Sequence, residues 1–184
     1  MCTLRNAHLP PQIRFNYNEP PDHEVVYYVK SRFQQWQVVI SRPILYYVTH
    51  VGPRASSSHD SGTQSTEPLA EDLFRATEVA QHCMSTSIDI ITQTSHLYRH
   101  GGSWMTWHAL IALSMNVLAA ALSGDRLAPP ANWLDDTKMA YDILSRWSHE
   151  AADVDWMRST LLHLLVSVCE TLHMQVPDSF WTAQ

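Results

Sequence analysis

The sequence predicts an all-α fold, a single-domain bundle of five to seven helices around one apolar central helix. Apolar residues recur every three or four positions in several segments, and no segment alternates with the period of two that is typical of strands. A further observation is the stretch between Arg99 and Asp125, which contains no charged residue and is therefore apolar on nearly all sides. Such a helix belongs in the middle of a bundle, with the other helices packed around it.

The N-terminal part is expected to divide into an extended segment and a first helix. Residues 1–21 hold four prolines and show no helical period, which predicts an extended segment, whereas residues 22–184 form the helical domain. Asp22 is the predicted N-cap of the first helix, and Pro43 is expected to interrupt it. The apolar face of this amphipathic helix carries Val25, Val29, Phe33, Trp36 and Ile40.

A polar stretch is expected to separate this helix from a longer one. Residues 53–67 are rich in serine and threonine and poor in apolar residues, which predicts a mobile loop. From 68 to 100 the only proline stands at the start and no glycine occurs, which predicts one long helix. The pair Gly101-Gly102 should end it, and Ser103 can cap the central helix, expected at 104–122.

Two further amphipathic helices are expected after the central one. The first runs from Trp133 to about Glu150, after a loop that contains two prolines. The second begins at its predicted N-cap, Asp153. Its apolar face consists of Val154, Met157, Leu161, Leu164, Val168 and Leu172.

Composition argues against several classes of function. The 12 basic and 18 acidic residues give a formal charge of -6, and the basic residues are scattered, so we expect no direct binding to nucleic acid. Three dispersed cysteines and the lack of a signal-peptide pattern indicate an intracellular location, cytoplasm or nucleus. His108 and Asn116 argue against a membrane span in the apolar run. No phosphate-binding glycine loop, dinucleotide fingerprint or serine nucleophile motif occurs, so no cofactor is expected.

The second half of the long helix carries a polar line. Its four members, at spacings of four, three and four, are Asp89, Gln93, His96 and His100. An aspartate one or two turns from a histidine can orient the imidazole for general acid or base work. The alternative is that this line is simply the solvated face of an amphipathic helix.

A second group of candidate residues surrounds the glycine turn. Trp104 and His108 share a helical face, Trp107 lies between them, and Arg99 precedes the turn. Indole rings supply flat apolar walls, while imidazole and guanidinium groups supply the few oriented polar contacts of a ligand pocket. Alternatively, His108 is a core histidine whose nitrogens are satisfied by hydrogen bonds within the protein.

A metal site at the same turn is not expected. His96 and His100 have the spacing of a chelating pair, but no glutamate accompanies them as in a metalloprotease helix. A third ligand would have to come from Asp89 or from the distant His163.

Parts of this pattern resemble the C-terminal part of the regulatory middle homology domain of fungal binuclear zinc-cluster transcription factors. The residues that carry the resemblance are Tyr28–Tyr47, with Arg32, Ser41-Arg42-Pro43 and Leu45-Tyr46, and the run His96–Trp104. The resemblance extends from about residue 20 onward and implies an all-helical domain that senses ligands or holds the factor inactive. That family binds DNA through six clustered cysteines and a basic linker. The three dispersed cysteines here cannot provide that mechanism.

Two functions follow as hypotheses. The first is a free-standing protein that binds an apolar small molecule, such as a terpenoid or polyketide of fungal secondary metabolism. It would catalyse a cofactor-free cyclisation, isomerisation or elimination. Trp104 and Trp107 would then shape the substrate, with Gln93 and Arg99 beside it, His96, His100 or His108 would move protons, and Asp89 would orient a histidine. The alternative is a regulatory fragment of a fungal transcription factor that binds a ligand or another protein without catalysis. A homo-oligomer or a protein partner is a separate expectation.

Overall fold

Five α-helices make up the described part of the computed structural model, which covers residues 8–17, 19, 23–51, 67–94 and 103–180. They are α1 (Glu24–Tyr46), α2 (Glu67–Thr94), α3 (Ser103–Leu122), α4 (Trp133–Trp147) and α5 (Ala152–Thr171). A π-helical stretch, Tyr47–Val51, follows α1, and short 3-10 turns lie at Pro11–Ile13, Gly124–Arg126 and Asp178–Phe180. These residues contain no strand, so the predicted all-α bundle is confirmed. The predicted loop at 53–67 lies outside them except for Glu67.

The apolar helix α3 is central, as predicted. It packs on α2, α4 and α5, and it contacts α1 least. Leu110 and Val117 are fully buried, and Asn116 donates a hydrogen bond of 3.3 Å to Ser87 Oγ on α2. The partner of Asn116 is therefore a core hydroxyl. The stretch Trp104–Leu122 is long and apolar enough to cross a membrane, and half of it is buried inside the bundle.

The helices that follow α3 begin and end slightly differently from the prediction. Gly124 adopts a φ of 62° after the end of α3, a conformation that glycine reaches without steric cost. α4 ends at Trp147, earlier than expected. The predicted N-cap Asp153 is wrong, because Ala151 is the cap and accepts the amide hydrogens of Val154 and Asp155. Asp153 lies inside the first turn, where its negative charge interacts favourably with the positive end of the helix dipole.

Helix α1 lies antiparallel to α2 and is continuous. Near one end Tyr27 and Thr94 hydroxyls are 3.3 Å apart, and further along Cys83 Sγ lies 3.8 Å from the carbonyl oxygen of Val38. The N-cap is His23, whose Nδ1 accepts the Val25 amide, whereas Asp22 lies outside the described residues. The expected break at Pro43 is wrong.

The position of Pro43 explains why α1 continues. A proline inside a helix removes one backbone hydrogen bond, but Pro43 faces solvent, where water can bind the freed carbonyl oxygen. Leu45 and Val48, just beyond it, are buried in the core. Their burial keeps the chain helical up to and beyond Tyr46, and the π-helical stretch follows.

The apolar face of α1 is turned outward. An apolar face normally packs on the core, yet Trp36 is 66% exposed and Ile40 69% exposed. The buried face is mainly polar: Lys30, Ser31, Gln34, Val38 and Leu45. The chain segment before α1 covers only part of the apolar face, where Phe15 and Tyr17 pack on the Phe33 ring. We call the large exposed apolar residues the outer stripe of α1: Val25, Tyr28, Trp36, Val39, Ile40, Tyr46 and Tyr47.

Candidate functional site

The structure separates the residues that the sequence places around the glycine turn. His96, Arg99 and His100 lie outside the described residues, as does the turn itself. Asp89 and Gln93 lie on α2, and Trp104, Trp107 and His108 lie on α3. The described geometry therefore tests only how these five residues are arranged.

Asp89 faces α1 and is not the partner of His108. Desolvation raises the pKa of the Asp89 carboxyl, while the nearby charges of Lys30 and His82 lower it. No hydrogen bond or ion pair joins Asp89 to His108 in the described part of the chain. The Oε1 atom of Gln93 is buried without a hydrogen-bond partner among the described residues. The polar line is thus partly turned into the protein.

The carboxylate beside His108 comes from α5. Trp104 Nε1 donates a 2.8 Å hydrogen bond to Asp153 Oδ2, and His108 Nε2 lies 3.7 Å from the same oxygen. The Trp104 and His108 rings are in contact, with centroids 4.0 Å apart. We call Trp104, His108 and Asp153 the α3–α5 clamp, because they join the first turns of these two helices.

Both nitrogens of His108 lie near oxygen atoms of the protein. Nδ1 is 2.8 Å from the carbonyl oxygen of Trp104, which can only accept, so Nδ1 carries the hydrogen. Nε2 faces Asp153, and protonation of the ring would make this contact an ion pair. A general acid or base needs a nitrogen within reach of the substrate proton. In this conformation Nδ1 is bonded to the backbone and Nε2 faces a carboxylate, so these contacts join two helices.

Trp107 belongs to the core. It is buried, and its ring packs on the Trp147 ring of α4 with centroids 5.8 Å apart. The side chain of Trp104, by contrast, is half exposed and bonds to α5. That the two tryptophans shape a ligand site stays a prediction. Their three-residue spacing sets them on neighbouring parts of the helix, and the two indoles meet different helices.

The described residues hold neither a metal-ligating cluster nor an activated thiol at Cys83. No three histidine, cysteine, aspartate or glutamate side chains converge there. Burial raises the pKa of the Cys83 thiol to about 11, although the charge of Arg42 lowers it slightly. Since the thiolate is the reactive form, Cys83 is an inert core residue near neutral pH.

Replacing Asp153 by alanine tests the α3–α5 clamp. We expect the free energy of unfolding in urea to fall by about 0.5–1.5 kcal/mol, because the indole hydrogen bond and the His108 contact are lost. Asp155→Ala is the matched control on the same helix turn, and it removes only the ion pair with Arg158. That exposed pair should contribute about 0.5 kcal/mol or less. Equal losses in the two variants would show that the clamp adds nothing.

Sequence reasoning missed two features of α1. One is Lys30, which is 1% exposed and whose Nζ donates to the carbonyl oxygens of Tyr17 and Glu19 at 3.0 and 2.8 Å. The other is a pair of open clefts on either side of Arg32, about 240 and 300 Å³ in volume. The sequence carries no signal that Lys30 is buried, since it lies outside the apolar face of α1, where a lysine is expected in solvent.

Comparison with known proteins adds no family to this description. No protein-family model, curated protein or solved structure matches the chain. The resemblance to the fungal regulatory domain rests on the residues quoted above and stays an expectation.

Proposed function

We propose that this chain is a helical binding module that acts by association and not by catalysis, and that it pairs with a second copy of itself through the outer stripe of α1. The orientation of α1 carries the proposal, since its polar face is buried and its apolar face is in solvent. A contiguous apolar patch of this kind is typical of an interaction surface. The proposal corresponds to the regulatory alternative that the resemblance implies.

The size of the stripe fits a dimer interface. α1 has 23 residues, so it is about 35 Å long. Its exposed aromatic and aliphatic side chains offer on the order of 700 Å². A stable interface buries about 800 Å² on each partner.

The stripe is also close to symmetric, which a two-fold interface requires. Val25 and Tyr47 stand eleven residues before and after Trp36, and eleven residues are close to three helical turns. A two-fold axis at Trp36 sets Val25 against Tyr47 of the second copy and Arg32 against Ile40. Lys30 and Arg42 are the like charges that correspond in this pairing, but Lys30 is buried inside its own chain and does not reach the interface.

Sedimentation equilibrium over a wide range of protein concentration tests the proposal. We expect the wild-type chain to dimerise, and Val39→Glu, which faces Phe33 of the second copy in this pairing, to weaken dimerisation roughly 30-fold or more. A charge at the centre of an apolar interface costs about 2 kcal/mol or more, and each 1.4 kcal/mol is a factor of ten. Val39 is exposed in the single chain, so the variant should fold normally, which circular dichroism checks.

Trp156→Glu is the control, because Trp156 is as exposed as Trp36, at 66%, and lies on α5, which does not pack on α1. It should leave the dimer unchanged. A wild-type chain that stays monomeric, or equal effects of the two variants, overturns the proposal.

The cofactor-free cyclisation, isomerisation or elimination expected from the sequence stays a prediction. It would depend on His96, Arg99 and His100, together with His108 in a conformation that frees one of its nitrogens. Turnover of a candidate metabolite by the wild type, and its loss in His96→Ala, would support it.

A further inference from the structure

Arg32 lies between two open clefts on the surface of α1. The first cleft, of about 240 Å³, separates α1 from α3 and is lined in part by Val25 and Thr106. The second, of about 300 Å³, separates α1 from the chain segment before it and is lined in part by Phe33. Arg32 and Tyr28 line both clefts, so the same guanidinium can contact a molecule in either of them.

The guanidinium of Arg32 has weak partners. Nη1 donates a 3.0 Å hydrogen bond to Gln35 Oε1, and Nη2 points at the Met105 sulfur at 3.4 Å. A thioether is a poor acceptor, and an arginine has five N–H donors. No carboxylate in the described part of the chain forms an ion pair with Arg32. Its charge is therefore available to an anion from outside.

The position of the guanidinium is nevertheless constrained. Its central carbon lies 5.1 Å from the centroid of the Tyr28 ring, a cation–π contact. Together with Gln35 and Met105, this contact holds the planar group on three sides. A planar guanidinium held in this way can bind a carboxylate through two parallel hydrogen bonds.

The second cleft supplies apolar walls beside this cation. Its walls include Leu9, Phe15, Val29, Phe33 and Trp36. Phe15 is buried and packs on Phe33 with ring centroids 6.1 Å apart, so the aromatic wall is fixed by contacts on both sides. Apolar walls with one or two charged groups are typical of small-molecule sites, and about 300 Å³ is the lower end of their size range.

We propose that this cleft binds an amphipathic organic anion, with its acidic group on Arg32 and its apolar body against Val29, Phe33 and Trp36. A monocarboxylic acid with a small aromatic or aliphatic body fits both the charge and the volume. The cleft shares Tyr28 and Trp36 with the outer stripe, so pairing through the stripe would compete with the anion for the same surface. The cleft itself is formed by a single chain, so the inference is tested on the unpaired protein.

A pair of fluorescent probes separates the contribution of Arg32 from that of the apolar wall. The probes are 8-anilinonaphthalene-1-sulfonate, which is an anion, and N-phenyl-1-naphthylamine, which has the same rings without the charge. Both are titrated in the Val39→Glu background, so that pairing through the outer stripe does not compete with the probes. We expect both probes to bind, and the anion to bind more tightly.

Arg32→Gln should weaken binding of the anionic probe by roughly 10-fold or more, since hydrogen bonds to charged groups are strong and each 1.4 kcal/mol is a factor of ten. Binding of the neutral probe should change little. Arg42→Gln is the matched control, an exposed arginine on the same helix whose Nη2 lies 3.5 Å from the Ala112 carbonyl oxygen. Equal effects of the two substitutions, equal effects on the two probes, or no binding of the anion would overturn the inference.

Discussion

Replacing Leu110 by alanine should lower the free energy of unfolding by about 2–5 kcal/mol, the usual cost of a large-to-small change in a rigid core. Leu110 is fully buried near the middle of α3. Because α2, α4 and α5 all pack on this helix, they cannot close together over the cavity. Unfolding in urea, followed by circular dichroism, measures the loss.

Met115→Ala provides the control on the same helix. Met115 is 49% exposed, so its truncation leaves a space that is open to solvent and no closed cavity. We expect a loss of about 1 kcal/mol or less, since surface substitutions rarely cost more. If the two variants lost the same amount, α3 would not be the centre of the core.

The central position of α3 could be predicted from the sequence for a simple reason. A helix without charged residues over more than twenty positions has no face that prefers water, so every arrangement of the other helices must surround it. Its bounds followed from local signals, and the structure places Ser103 and Leu122 at its ends. These signals act within a few residues of each other, which is why sequence reasoning reaches them.

The orientation of α1 could not be predicted by the same reasoning. Periodicity shows that Val25, Trp36 and Ile40 share a face. Whether that face is buried depends on how all the helices pack together, which local periodicity does not report. In the structure, the buried Lys30 occupies the opposite face. If a second copy covers the outer stripe, the apolar face of α1 is buried after all, in the dimer interface.

The carboxylate beside His108 could not be predicted from the sequence for another reason. Helical spacing related Asp89 to the histidines of its own helix, because it pairs residues within a turn or two. Asp153 follows His108 by 45 positions in the sequence and reaches it only because α5 packs on α3. A single sequence carries no signal for such a distant pair, and the cap preference of aspartate pointed to a purely local role.

The buried side chain of Lys30 connects α1 to the chain segment before it. Its ammonium group holds two carbonyl oxygens of the segment before α1, those of Tyr17 and Glu19. Burial lowers the pKa of Lys30, while the negative charge of Asp89 raises it by a smaller amount. A neutral amine still has two hydrogens to donate, so the two carbonyl contacts can outlast the charge.

Replacing Lys30 by alanine should lower the free energy of unfolding by about 2–4 kcal/mol, because it opens a cavity and leaves two carbonyl oxygens without this donor. It should also release the segment before α1. Trypsin is then expected to cleave after Arg14 faster than in the wild type. Lys30→Met keeps most of the side-chain volume, so its loss should be smaller while cleavage is still accelerated.

The pH dependence separates the charge of Lys30 from its packing. Between the lowered pKa of folded Lys30 and its ordinary value of 10.5, the unfolded chain binds more protons than the folded one. The unfolding free energy contributed by this group therefore rises with pH across that window, as the buried charge is removed. The stability of the wild type relative to Lys30→Met should accordingly increase from neutral pH toward about pH 10. A constant or falling difference would mean that the ammonium group is as well stabilised in the folded chain as in water.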